Sequence, residues 1–272
     1  MGWISSMAAA PGRCLLFLGL MLSPAIEGAA QAGGSETAVD KQPVEAPHHD
    51  PLVHVLPTTD SAALADAPVV TGAWGGYDGA ARTPTAVVAA EVRVVGPLAV
   101  MVGAGYSENA DTAPALRLRI GLRAQFLKQE RAGVDASASL LYRRDRFAGE
   151  NGMVQAGLAI GRSFGAVQTV ANVFYGQDGE GDDHVGEARL AVFGAVGGGF
   201  HAGGEARYAH SLGSTDPLRV ARGNPSMEAM AAPMLAYSAG RWALVVEGGV
   251  ATTHIAVQQT GFVGVAGVGT SF

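Results

Sequence analysis

The sequence predicts an all-β protein, an antiparallel transmembrane β-barrel of about 12 strands, and three observations carry that expectation. From Val69 to Phe272 the chain runs in segments of roughly ten residues that alternate apolar and polar side chains, the period of a strand. Clusters of Gly, Pro, Asp and Asn separate the segments. The 39 glycines, set among many Ala and Val, disfavour helices and suit a crowded, twisted, closed sheet. After the N-terminal region no run reaches the ~18 apolar residues of a membrane helix, so a membrane signal has to come from alternation.

The N-terminal region divides in two. Cys14 to Leu22 is an apolar run of signal-peptide length behind Arg13, and Gly28-Ala-Ala30 and Ala30-Gln-Ala32 are small-residue cleavage sites, so residues 1–30 are expected to be a cleaved signal peptide. A lipoprotein would carry its cysteine after the apolar run. Cys14, the single cysteine, would leave with the signal, and the mature chain would have no disulfide. Residues 31–67 are Pro, Ala, Asp, Glu, Thr and His without periodicity, which predicts a disordered periplasmic segment. Residues 68–272 are expected to form the barrel.

Within the barrel the expected strands are 69–78, 85–95, 98–107, 115–126, 134–143, 152–164, 167–177, 185–196, 200–210, 228–238, 242–252 and 262–272. The fourth shows the pattern best. Leu116, Leu118, Ile120, Leu122, Ala124 and Phe126 alternate with Arg117, Arg119, Gly121, Arg123 and Gln125, and a strand gathers those arginines on one face where a helix would scatter them. Because similar alternation recurs in nearly every segment, the apolar face is expected outward to lipid and the polar face inward. Short connections at Gly96-Pro97, Gly165-Ala166, Gly197-Gly-Gly199 and Ala239-Gly-Arg241, with the longer 127–133, interleave with long polar ones at 78–84, 107–114, 144–151, 177–184, 211–227 and 253–261. That places short turns and both termini on the periplasmic side. Trp74, Tyr77, Tyr106, Tyr142, Tyr175, Tyr208 and Tyr237, with Phe126, Phe164, Trp242 and Phe272, fall near strand ends as interfacial girdles.

In the last segment Phe262, Gly264, Ala266, Val268, Thr270 and Phe272 share one parity and the chain ends on the aromatic ring. This resembles the closing strand of Gram-negative outer-membrane β-barrels. The resemblance implies the bacterial outer membrane, surroundings of lipid and lipopolysaccharide, and assembly by the barrel-insertion machinery that reads a terminal Phe. Autotransporter translocators also use about twelve strands, but the region before Val69 is short and lacks the helical periodicity of their central helix.

Inward positions carry Glu91, Asp135, Glu187, Glu205 and Glu247 against Arg93, Arg117, Arg119, Arg123, Arg143, Arg189 and Arg207. Glu91/Arg93, Glu187/Arg189 and Glu205/Arg207 set opposite charges two residues apart on one strand face, as a filled, salt-bridged interior requires. Arg117, Arg119 and Arg123 have no acid on their own strand, as an anion-attracting constriction requires. Both readings stay open. The function expected is a narrow passive pore favouring small anionic solutes; the alternative is a non-conducting structural or surface-interaction barrel.

Motifs that carry chemistry are weak. The loop from Gln177 to His184 is rich in oxygen ligands but lacks calcium-loop spacing. Its Asp182-x-His184 is similar to a spacing of omptin proteases, without a second acidic pair. His210-Ser211 invites comparison with outer-membrane phospholipase, yet adjacent strand residues face opposite ways. His48, His49, Asp50 and His54 sit in the aperiodic segment as a weak transition-metal candidate. No catalytic site, metal or cofactor is therefore expected, a rim hydrolase being the third reading. The formal charge of −6 excludes a generally basic nucleic-acid binder.

Overall fold

The structure is a computed structural model that describes residues 51–54, 56, 59–77, 85–109, 112–144, 152–179, 184–212, 226–254 and 258–272, with the side chains of 51, 53, 77, 85 and 107–117 left out. The chain divides into Met1–Ala46, which lies outside the described residues together with the expected signal peptide, and Pro47–Phe272.

Twelve strands are present: β1 (Val69–Tyr77), β2 (Thr85–Val95), β3 (Leu98–Asn109), β4 (Thr112–Leu127), β5 (Asp135–Arg143), β6 (Met153–Phe164), β7 (Val167–Asp178), β8 (His184–Gly197), β9 (Phe200–Ser211), β10 (Met227–Ala239), β11 (Trp242–His254) and β12 (Gln258–Ser271). Each pairs antiparallel with its neighbours in sequence, and β1 pairs with β12 from Val69↔Ser271 to Tyr77↔Val263, closing the barrel. A single helical turn, α1 (Gln129–Ala132), sits in the β4–β5 connection. All twelve expected strands are found, and several run further than the alternation indicated. The connection expected at 107–114 shrinks to 110–111, and β12 starts at Gln258. At β12 the ladder hydrogen bonds continue past the apolar band through Gln258, Gln259 and Thr260, where polar residues of both parities hide the strand period.

The outward face is apolar: Val88, Leu118, Ile120, Leu140, Leu158, Ile160, Val173, Leu235, Leu244 and Val246 are all exposed. Exposed aromatics bound this band at both ends. Phe126, Phe164, Phe200, Tyr237, Trp242 and Phe272 ring the short-turn end, and Trp74, Tyr106, Tyr142, Tyr175, Tyr208 and Phe262 ring the long-loop end. An unbroken apolar exterior between two aromatic girdles is the surface of a barrel that spans a membrane with its strands. The expected transmembrane architecture is therefore what the chain adopts.

One expectation is corrected. The described residues 51–54, 56 and 59–67, which fall in the segment 31–67 expected to be disordered, lie within the barrel. A 3-10 turn, Pro51–His54, packs against β10, β11 and β12, and Leu52, Leu56 and Ala62 join Phe193, Met234 and Val245 in one buried cluster of the inner wall. The boundary at residue 68 thus falls between β1 and a segment that the barrel encloses. Composition counted the apolar surface that this segment could bury on itself. It buries that surface on the barrel instead, and wall side chains satisfy its backbone. The remainder, residues 31–50, lies outside the described residues.

The parity has a direct test. Leu158 is 55% exposed on the outer band, so Leu158→Arg is expected to destabilise the barrel in lipid vesicles by about 2–4 kcal/mol. Thr71 faces the interior cavity, and Thr71→Arg is expected to cost distinctly less by the same urea titration. Equal costs would contradict the assigned faces.

Candidate functional site in the lumen

Period two brings charged side chains from β2, β4, β5, β8, β9, β10 and β11 to the inner face. Register then sets like charges against each other. Arg119 of β4 lies directly opposite Arg143 of β5, and Arg189 of β8 opposite Arg207 of β9. Directly opposed cations in a closed interior are destabilising unless carboxylates sit between them.

Glu187 supplies that carboxylate for three arginines. Its Oε1 accepts from Arg189 Nε at 2.7 Å and Arg207 Nε at 2.5 Å, and its Oε2 accepts from Arg143 Nη1 at 3.2 Å and Gln155 Nε2 at 3.4 Å. Arg207 also donates from Nη1 to Glu228 at 2.8 Å, so the network ties β5 and β6 to β8, β9 and β10. The Arg189 guanidinium lies 4.5 Å above the Phe174 ring. Across the barrel, Arg123 reaches Glu91 at 3.0 Å, passing β3 where Ala99 stands opposite both Arg93 and Arg123 and leaves room.

The enclosed segment completes the remaining pairs. Asp60 Oδ2 accepts from Arg119 Nη2 at 2.8 Å and lies 3.6 Å from Arg189 Nη1, bridging opposite walls. Asp66 pairs with Arg93 at 3.1 Å. Backbone groups of the segment are bound by wall side chains: Asn172 accepts from the Asp60 N–H and donates to its carbonyl, both at 2.8 Å, and Glu205 accepts from the Thr59 N–H at 3.1 Å. Further along, Arg123 donates to the Ser61 carbonyl at 2.9 Å, Arg93 to that of Leu64 at 3.1 Å, and Gln125 accepts from the Leu64 N–H at 3.3 Å.

Toward the long-loop end a cavity of about 330 Å³ remains. Arg119, Arg123, Arg143, Arg144, Arg189 and Arg207 line it, against the carboxylates of Asp60 and Glu91 in the lining and of Glu187 and Glu228 behind it, so arginines outnumber the carboxylates around it.

The residues named from sequence fare unevenly. Glu91, Arg93, Arg119, Arg123, Arg143, Glu187, Arg189 and Arg207 all face the lumen and join these contacts. Asp135 turns to another task, accepting from Gln125 Nε2 at 2.9 Å and from the Gln129 N–H at 3.0 Å, which fastens α1 to the barrel rim. Glu205 holds the enclosed segment, with Glu247 buried beside it. The Arg117 side chain lies outside the described residues. Arg119 and Arg123, which have no acid on their own strand, find theirs elsewhere, in Asp60 and in Glu91 of β2. Gln155, Asn172 and Glu228 were missed, although strand parity alone places all three inward, and Gln125 was placed on the inward face without a role. Asp60 and Asp66 carried no such signal.

At the rim, the Tyr175 hydroxyl lies 2.7 Å from His184 Nδ1 and the two rings stack, while Asp182 lies outside the described residues. His210 is exposed and stacks on Tyr208. His54 is enclosed beside the cavity, whereas His48, His49 and Asp50 lie outside the described residues.

No family model matches the chain, and none of the curated proteins matches it. Among solved structures it is similar to the NanC porin, with a TM-score of 0.55 at 10% identity over 75% of this chain and 100% of that one. It also resembles the KdgM porin, with a TM-score of 0.48 at 10% identity over 75% of this chain and 99% of that one. The first likeness establishes a shared fold, a closed antiparallel β-barrel.

The hub is the interaction whose loss should be felt most. Glu187→Gln removes the carboxylate shared by Arg143, Arg189 and Arg207, of which Arg207 keeps Glu228 and Arg189 keeps Asp60, and is expected to lower stability by about 3–5 kcal/mol. Glu91→Gln, which faces one arginine, is expected to cost less. Urea unfolding followed by tryptophan fluorescence compares them; a larger loss at Glu91 would place the structural centre elsewhere.

Proposed function

We propose that the protein is a narrow passive pore of the bacterial outer membrane that favours small anionic solutes. The observation that carries this reading is the cavity lined by six arginines and two carboxylates. A cationic lumen with low-dielectric walls concentrates anions and repels cations. In this reading the long loops face outward, both termini face the periplasm, and the signal peptide is removed near residue 30. Lipid and lipopolysaccharide surround the girdles. The insertion machinery engages the terminal strand, where the Phe272 ring is exposed and its N–H donates to the Pro68 carbonyl at 3.0 Å, beside the closing seam.

A second reading, a closed structural barrel, is favoured by the enclosed segment and the paired arginines. Planar-bilayer recording separates the two. The pore is expected to conduct with a reversal potential on the anion side. Replacing Arg119, Arg123 and Arg144 by Gln removes half of the lining cations and strips Glu91 of its partner, so the anion preference should fall or reverse. Cation selectivity of the unaltered protein would overturn the proposal, and silence in several lipids and anions would favour the closed barrel. Deletion of Phe272 is expected to reduce the yield of heat-modifiable, folded barrel in the outer membrane; unchanged assembly would remove its role as an insertion signal.

A further inference from the structure

We infer that residues 59–66 are a displaceable plug, and that Asp60 occupies on Arg119 and Arg189 the place that the carboxylate of an incoming solute takes. The inference rests on the pore reading and adds to it the chemistry of the solute and the means of opening.

The course of the segment is the first support. Leu52 and Leu56 pack on Ala236, Ala243 and Val245 near the short-turn end. Thr59 and Asp60 meet Glu205, Asn172 and Arg119 partway along their strands. Leu64 and Asp66 then return to Gln125 and Arg93, near the short-turn ends of β4 and β2, before β1 begins. The segment is a re-entrant loop with Asp60 at its tip. The arginine-lined cavity runs alongside the segment, touching His54, Leu56, Thr59, Asp60 and Ser61, so a solute inside it meets Asp60 in its lining.

The attachments are the second. From Thr59 to Asp66 the segment forms no strand, and the wall holds it through side chains: two amides, three arginines and a carboxylate. Such bonds exchange with water or solute without breaking a barrel ladder. Its apolar anchors, Leu52, Leu56 and Ala62, lie away from the tip.

Electrostatics provides the third. Removing Asp60 alone would take from Arg119 the carboxylate it pairs with and leave Arg189 with Glu187 only, at a cost. Exchange for another carboxylate leaves both arginines paired. The tether also holds Asp60 off an ideal geometry, 2.8 Å from Arg119 but 3.6 Å from Arg189, whereas a free carboxylate can fork onto a guanidinium. Chloride offers no such fork, and a neutral sugar no charge.

The test uses the full chain with Cys14→Ser, reconstituted in planar bilayers in sodium chloride, in sodium gluconate at equal ionic strength, or in chloride with glucose. Gluconate is expected to raise the open fraction on the order of tenfold or more over chloride, and glucose to leave it unchanged. Asp60→Asn should be open in chloride to the level gluconate induces, with no further response. A lock supplies an independent arm. A Cβ at Gly161 would lie 3.0 Å from the Ala62 Cβ, close to the ~3.5–4.5 Å of a disulfide and adjustable by a small shift of the loop. Ala62→Cys with Gly161→Cys should be closed in both salts when oxidised and recover the gluconate response when reduced. Because it leaves the latch intact, this pair decides the matter if Asp60→Asn fails to give a heat-modifiable barrel. Equal conductance of the oxidised and reduced pair, or a gluconate response retained by Asp60→Asn, overturns the plug while the pore reading stands. Silence of the unaltered protein, Asp60→Asn and the reduced pair in every salt overturns the pore and the plug together.

Discussion

Every backbone N–H and C=O that faces lipid must find its partner within the protein, and in this chain the β1–β12 ladder satisfies the last two open edges. Closure has consequences beyond hydrogen bonding. It separates the two strand faces, so each alternating segment sends one set of side chains to lipid and the other into a confined interior. The outward set becomes a continuous apolar band between aromatic girdles. The inward set has to settle its charges with whatever else is enclosed.

That second requirement explains the organisation of the lumen. Antiparallel register sets Arg119 against Arg143 and Arg189 against Arg207, pairs that repel. Glu187 answers by receiving three guanidiniums on one buried carboxylate, and Glu228 extends the chain of alternating charge to β10. Replacing such a network with apolar groups can preserve stability, so charge is not required for a filled barrel. The interior keeps its arginines, and six of them line the cavity.

The enclosed segment belongs to the same balance of charge. The enclosed segment contributes two carboxylates, Asp60 to Arg119, whose strand has no acid, and Asp66 to Arg93, whose neighbour Glu91 is taken by Arg123. It also contributes backbone groups that Asn172, Gln125 and Arg123 satisfy in place of ladder partners. The segment and the wall therefore depend on each other: one has no fold of its own, and the other has too few acids.

Strand existence, parity, girdles and the alternation of short and long connections were legible in the sequence, since a period of two is a local property that each ten-residue segment displays independently. The residues facing the lumen followed from that parity, with Gln125, Gln155, Asn172 and Glu228 within its reach. Strand ends were less legible, as at β3, β4 and β12, because alternation fades where both faces meet polar surroundings. What tertiary structure alone decided is who pairs with whom. Arg119 finds Asp60 at a separation of 59 residues and Thr59 finds Glu205 at 146, and no spacing or composition encodes such contacts. Sequence could show that residues 31–67 cannot bury enough surface on themselves; only the closed barrel, by offering them an interior that is already built, determines that residues 51–67 fold within it.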